Sequence, residues 1–346
     1  MGFKVFFYMF VISASVAVLL TPFIMKISCI FKIYDKPGHR KVHQRNMPTM
    51  GGLAMVFGFF TALVICEIYF PNAIENFYTK FWGMIIASFV LVSLGIIDDL
   101  KGLKAKFKIY IQIFVAIILI VSGFCIEEIT NPFGDKISLG VFGYILTVLW
   151  IIGVINAINF LDGLDGLACG VTGIISLFLF LSSLKQGNTT AAVISLALCG
   201  CCFGFLPYNF NPAKIFMGNT GSMFLGLILA IIAITGYSKT QTLITLIIPV
   251  IALGLPIIDT SLAILRRIAR GRHIFHADKE HIHHHMLTER KSQRKVVLSM
   301  YFLSCCFGMI SLSFTGFKGI FAVIALVLVI TVTIDWIRKS GFLNFR

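Results

Sequence analysis

Five clusters of polar side chains interrupt an otherwise strongly apolar chain, and their residue types suit phosphate and a divalent cation. The first is Gly95-Ile-Ile-Asp98-Asp99-Leu-Lys101-Gly102. Adjacent carboxylates at the end of an apolar block repel one another, so they need a cation, a proton or a nearby lysine. They are read either as catalytic acids or as a solvated helix end neutralised by Lys101 and Lys104. The second cluster is Asn156-Ala-Ile-Asn159-Phe-Leu-Asp162-Gly-Leu-Asp165-Gly166. Asn156 and Asn159 share a helix face. A strict three-residue repeat drifts around a helix of about 3.6 residues per turn, so the spacing predicts a helix end near Asp162 and a glycine turn after it. Oxygen ligands beside flexible glycine suit Mg2+ and phosphate. The spacing is not that of a calcium loop, and a plain Asp-Gly turn is the bland alternative.

The third cluster, Asn211-Pro212-Ala-Lys214-Ile-Phe-Met-Gly218-Asn219-Thr220-Gly221-Ser222, stands just before an apolar block. Small residues opening a helix present backbone N–H groups to an anion, or simply cap the helix. The fourth runs from His273 to His285 and holds His276, Asp278, Glu280, His281, His283 and His284, in a basic stretch that begins at Arg266. His281 and His285 have a zinc-protease spacing, but Ile282 takes the place of the required Glu. Holding pyrophosphate oxygens suits these His and Arg better; a lipid-binding basic loop is the alternative. The fifth, from Tyr34 and Asp35 through Arg40 and Lys41 to Arg45, would touch a lipid phosphate or anchor a loop to anionic headgroups.

The elements that must position these clusters are membrane helices. Of 346 residues, 58% are hydrophobic and 13% charged, and the mean hydropathy is +0.93. A water-soluble surface needs far more charge. Eleven apolar blocks long enough to span a bilayer lie at about 5–29, 50–70, 81–97, 108–125, 140–158, 168–184, 189–206, 220–236, 241–262, 296–315 and 318–337. The pattern predicts an all-α polytopic membrane protein of about eleven transmembrane helices, with one integral-membrane domain over 1–346. Odd-to-even connections and the C-terminal tail carry 23 Lys and Arg against 6 on the other side. This asymmetry predicts an outside N-terminus and a cytoplasmic C-terminus. Cytoplasmic loops then fall at about 30–49, 98–107, 159–167, 207–219 and 263–295, which hold all five clusters. The net charge of +14 sits in short loops, so nucleic acid is not the expected partner. Nine Cys, mostly inside apolar blocks, read as packed free thiols. The first block lacks a small-residue cleavage site and reads as a retained helix.

Taken together and in this order, Asp98-Asp99, the Asn-Asp-Gly run, Phe216-Met-Gly-Asn-Thr-Gly-Ser222 and the His-rich loop resemble the bacterial polyprenyl-phosphate N-acetylhexosamine-1-phosphate transferases, glycosyltransferase family 4. The resemblance implies an eleven-helix fold in a bacterial inner membrane, with the site facing the cytoplasm. There undecaprenyl phosphate attacks a UDP-sugar and releases UMP. Asp35-Lys-Pro before Arg40-Lys41, and the long loop from His276 to His284, look closer to the GlcNAc-1-phosphate branch than to the phospho-MurNAc-pentapeptide translocases. The donor implied is UDP-GlcNAc, and the product would prime teichoic-acid or O-antigen-like polymers. By resemblance Asp98, Asp99, Asp162 and Asp165 are catalytic, and Asn159 and position 219 hold Mg2+, with Mn2+ as a substitute ion. Asn156, Arg266, His276, His281, His283 and His284 would hold the nucleotide sugar, and Lys101, Lys41 and Arg40 the lipid phosphate. Membrane lipid is a partner by location, and a homodimer stays open.

One residue departs from the resemblance. The family motif is Phe-Met-Gly-Asp, whereas Asn219 brings a neutral amide. Either the substitution was engineered to trap an inactive state, or the chain is a natural variant, weak or dependent on Asp98, Asp99 or Asp162 for metal charge. Two other classes compete with the enzyme. Buried Asp259 would suit a transporter, although transporters set polar sites near the midplane with repeat symmetry, and neither pattern is visible. A catalytically silent regulator would share every motif and fail only in an assay.

Overall fold

The computed structural model describes residues 3–35, 46–71, 73–130, 136–240, 243–269 and 292–315, with 327 and 331. Eleven helices run through them: α1 Phe3–Ile30, α2 Gly52–Tyr69, α3 Phe77–Lys101, α4 Ala105–Val121, α5 Val141–Leu161, α6 Leu167–Lys185, α7 Thr189–Asn209, α8 Gly218–Thr240, α9 Leu243–Ala252, α10 Gly254–Ala269 and α11 Gln293–Ser313. Among the described residues, eight helices are long and apolar enough to cross a membrane: α1, α2, α3, α5, α6, α7, α8 and α11. The chain is a multi-pass membrane protein. Leu19, Phe89, Val121, Phe142 and Phe302 are all more than two-thirds exposed, a surface that lipid rather than water must solvate.

Two expectations change in detail. The apolar block expected over 241–262 is two helices, α9 and α10, meeting at Leu253. Pro249 and Pro256 each lack the N–H that a continuous ladder needs, and Gly254 between them favours the break. The chain is also not purely helical. Tyr34–Asp35 (β1) pairs antiparallel with Met47–Pro48 (β2), and Glu128–Thr130 (β3) with Lys136–Ser138 (β4), the latter at the opposite end of the bundle. The last expected block, 318–337, lies outside the described residues except for Val327 and Thr331.

The centre of the bundle is α8, which packs against α2, α3, α5, α6, α7 and α9. In lipid, helices associate through close packing of small residues rather than through hydrophobic exclusion. At the first turn of α8 this packing is backbone to backbone. Gly52 of α2 lies against Gly221, and Gly95 of α3 lies so close to Thr220 that a Cβ on it would meet the Thr220 Cα at 2.5 Å. These approaches bring the last turn of α3 and the first turn of α2 onto the start of α8.

Candidate active site

The α8 N-terminus is held by a carboxylate from another helix. Asp99 Oδ1 accepts from the Asn219 backbone N–H at 2.8 Å and the Asn219 Nδ2 at 2.9 Å. Its Oδ2 accepts from the Thr220 N–H at 3.3 Å and the Thr220 hydroxyl at 3.0 Å. A carboxylate at a helix N-terminus meets unpaired amides and the positive end of the helix dipole. Gly218 has φ +72, and a Cβ there would strike Asp99 Oδ2 and come within 2.7 Å of Thr49 Oγ1, so glycine is required. From α5, Asn159 Nδ2 donates to Asn219 Oδ1 and to Ser222 Oγ, both at 2.8 Å. The Asn219 amide therefore joins Asp99 of α3 to Asn159 of α5.

The segment leading into α8 is also clamped from the α2 side. Phe216 N donates to Pro48 O at 2.9 Å, Gly51 N to Phe216 O at 2.9 Å and Gly52 N to Met217 O at 3.1 Å. Ser28 Oγ donates to Thr49 O at 2.7 Å, which ties the end of α1 to the same segment. Since β2 pairs with β1, Asp35 also comes near the centre.

As the spacing predicts, α5 ends at Leu161 and the chain turns through Asp162 to Gly166, which has φ +76. Asp162 lies outside the spanning helices. Burial, and then the neighbouring Asp99, Asp165 and Asp35 carboxylates, push its own carboxyl up to about 8. That crowding of negative charge is what an oxygen-ligated cation relieves. Among the described residues no three His, Cys, Asp or Glu side chains converge as a metal cluster. A cation here would rest on Asp99 and Asp162 with the amide oxygens of Asn159 and Asn219, completed by water and substrate oxygens. An all-oxygen, incompletely protein-ligated set fits Mg2+.

The other expected site residues are distributed differently. Asp98 is buried, with Oδ1 accepting from Leu103 N and Oδ2 paired with Lys108 Nζ, each at 2.7 Å. Its cation is thus Lys108, not Lys101 or Lys104, and Lys101 is exposed at the end of α3. Asn156 sits one turn below Asn159, where its Nδ2 donates to Gln112 Oε1 and Ile152 O, both at 2.8 Å. Arg266 is buried in the last turn of α10, and the Arg267 guanidinium lies 6.0 Å over the Phe160 ring, which sets this pair beside the end of α5. Asp165 is tied to the segment before α8, its Oδ2 accepting from Asn211 Nδ2 at 2.9 Å and Ala213 N at 3.1 Å. Arg40, Lys41, His276, His281, His283 and His284 lie outside the described residues.

Lys108 and Gln112 had no role assigned from sequence, whereas Thr220 and Ser222 stand in the third cluster and Arg267 in the basic stretch that begins at Arg266. Gln112 had a readable signal, being a lone amide inside the apolar run of α4. The pairing of Asp98 with Lys108 had none, because several lysines lay within reach.

Acids and amides thus gather at one end of a membrane-spanning bundle, and similarity to known proteins gives its class. The family described as glycosyl transferase family 4 matches residues 81–237, the stretch carrying the α3, α5 and α8 turns. The chain is 37% identical, over 86% of its own length and 82% of the relative's, to the probable undecaprenyl-phosphate N-acetylglucosaminyl 1-phosphate transferase of Bacillus subtilis (strain 168). It is 30% identical, over 76% and 71% respectively, to the undecaprenyl-phosphate alpha-N-acetylglucosaminyl 1-phosphate transferase of Escherichia coli (strain K12). The phospho-N-acetylmuramoyl-pentapeptide-transferase of Alkaliphilus metalliredigens (strain QYMF) is 31% identical over 88% of this chain and 96% of its own. This chain belongs to glycosyl transferase family 4.

Proposed function

We propose that the chain transfers N-acetylglucosamine 1-phosphate from UDP-GlcNAc to undecaprenyl phosphate, giving the lipid pyrophosphate sugar and UMP. The reading is carried by the meeting of Asp99, Asn159 and Asn219 at one helix start beside Asp162, within a chain similar over most of its length to two such transferases. The 23-to-6 asymmetry of Lys and Arg supports this end facing the cytoplasm of a bacterial inner membrane. A membrane bundle suits the acceptor, whose prenyl chain stays in lipid while its phosphate reaches the helix ends.

In the reaction a lipid-phosphate oxygen bonds to the sugar-bearing phosphorus of the donor, and the bond from that phosphorus to the UMP oxygen breaks. Both partners are anions, so neutralising charge is the main task. Asp99, Asp162, Asn159 and Asn219 are the residues that would hold Mg2+, which would supply that charge neutralisation when bound. Lys108, oriented by Asp98, would steer the acceptor phosphate. Arg266 and Arg267, with the His-rich connector, would hold the nucleotide. A phosphate monoester near neutral pH is already largely ionised, so positioning matters more than deprotonation.

Asp98→Asn keeps an oxygen for Leu103 N but gives up the charge that orients Lys108. Transfer should fall on the order of 10²-fold while the protein still purifies folded. Near-normal turnover would return Asp98 to a helix-end role. The muramoyl-pentapeptide relative favours a second donor. Competition between UDP-GlcNAc and UDP-MurNAc-pentapeptide in one reaction decides the matter. The expected product carries GlcNAc, and preference for the pentapeptide donor would defeat that assignment.

A further inference from the structure

The turn that carries Asp162 is held at its far end by a clasp of side chains from three separate elements. Asn211 is the hub. Its Nδ2 donates to Asp165 Oδ2 at 2.9 Å and to Gln293 Oε1 at 2.7 Å, while its carbonyl oxygen accepts from Arg294 Nε at 2.8 Å. Ala213 N donates to the same Asp165 oxygen at 3.1 Å. Gly166, which closes the turn, is gripped on both sides of its peptide. Its N–H donates to Asn209 Oδ1 at 3.1 Å, and its carbonyl accepts from the Tyr301 hydroxyl at 2.6 Å. Asn209 in turn donates through Nδ2 to Ile215 O at 3.0 Å, three residues before α8 begins.

We propose that Asn211 and Gln293, acting through Asp165, are positioning residues for transfer, because they fix the Asp162–Gly166 turn against the start of α8. Asp162 and Asp165 sit on one turn of five residues, so an anchored Asp165 leaves Asp162 little freedom. The Asn209-to-Ile215 bond connects the same clasp to the segment that leads into Gly218. The turn and the α8 start are thus set relative to each other by side chains, not by a helix running through both. Gln293 opens α11, so the clasp also joins that helix to the centre, although neither Gln293 nor Asn211 reaches Asp99, Asn159 or Asn219. The inference rests on the reading of Asp162 given under Proposed function.

The test uses the full chain in detergent and two readouts. Gln293→Leu removes the acceptor for Asn211 Nδ2 while keeping bulk, whereas Gln293→Glu keeps an acceptor beside Arg294. Hydrogen exchange of the amides at 163–167 should quicken at least tenfold in Gln293→Leu and Asn211→Ala and stay near wild type in Gln293→Glu. Over the same variants kcat should fall about tenfold or more with donor KM and thermal midpoint nearly unchanged, and the loss should not multiply with that of Asp165→Asn. Unchanged exchange in Gln293→Leu would overturn the clasp. Faster exchange with unaltered kcat would overturn its role in transfer, as would equal losses in Leu and Glu variants. No turnover in either the present chain or its Asn219→Asp variant would instead count against the assigned reaction, and the exchange data would still decide whether the clasp exists.

Discussion

Asn219→Asp should tighten Mg2+ binding by more than tenfold and raise the transfer rate, while making the metal-free protein less stable. The geometry gives the reason for all three effects. In the present chain the Asn219 amide donates to Asp99 Oδ1 at 2.9 Å and accepts from Asn159 at 2.8 Å. The three side chains therefore close on one another. A carboxylate at 219 keeps the acceptor for Asn159 but loses the donor to Asp99, and sets two negative groups within hydrogen-bond distance. Losing a buried hydrogen bond costs about 1–3 kcal/mol, and like charge adds to this until a cation enters. Thermal unfolding should fall in chelator and recover with Mg2+, alongside the gain in turnover. If Mg2+ dependence, midpoint and rate all stay at the level of the present chain, position 219 is not a metal ligand and the centre is misplaced.

Asp162→Asn should abolish transfer, by on the order of 10²-fold or more, and at the same time stabilise the metal-free protein at pH 8. Folding lifts this carboxyl to about 8 through burial and the fields of Asp99, Asp165 and Asp35. A carboxyl whose folded pKa is raised holds its proton more tightly in the folded state. Wild-type stability is therefore lost as pH rises from about 4 toward 8 and is level beyond that. The substituted protein escapes this loss, so the gap between the two should open with rising pH and reach about 1 kcal/mol or more at pH 8. Mg2+ must displace the same proton, so its affinity for wild type should strengthen as pH climbs to 8. Calorimetry in buffers of different ionisation enthalpy would record the released proton. Wild-type turnover in Asp162→Asn, or a stability gap that closes as pH rises, would remove Asp162 from the centre.

Much of this arrangement is legible in the sequence because it is local. The eight long spans follow from runs of apolar residues, and the end of α5 at Leu161 follows from a polar spacing that no helix face can hold together. The grouping of Asp99, Asn159 and Asn219 is implied by motif resemblance and meets in space through side-chain bonds. What hydropathy could not reveal is the break at Leu253, since α9 and most of α10 form one apolar run and only Pro249, Gly254 and Pro256 record the interruption. The partners of the acids were equally hidden. Asp98 chose Lys108, ten residues on, from four nearby lysines, and Asp165 found Asn211 across 46 residues of chain. Such choices are fixed by how α3, α4, α5 and α8 pack, and spacing along the chain carries no record of that packing.

The central claim is that phosphorus travels with the sugar, which label placement reads directly. Purified protein, and its Asn219→Asp variant, would be incubated with undecaprenyl phosphate, Mg2+ and UDP-GlcNAc labelled with 32P at either the α or the β phosphorus. Only β label should enter the lipid fraction, α label should leave as UMP, and the variant should do this faster. Release of UDP with both labels, leaving an unlabelled glycolipid, or an unlabelled lipid fraction from both proteins, would contradict it.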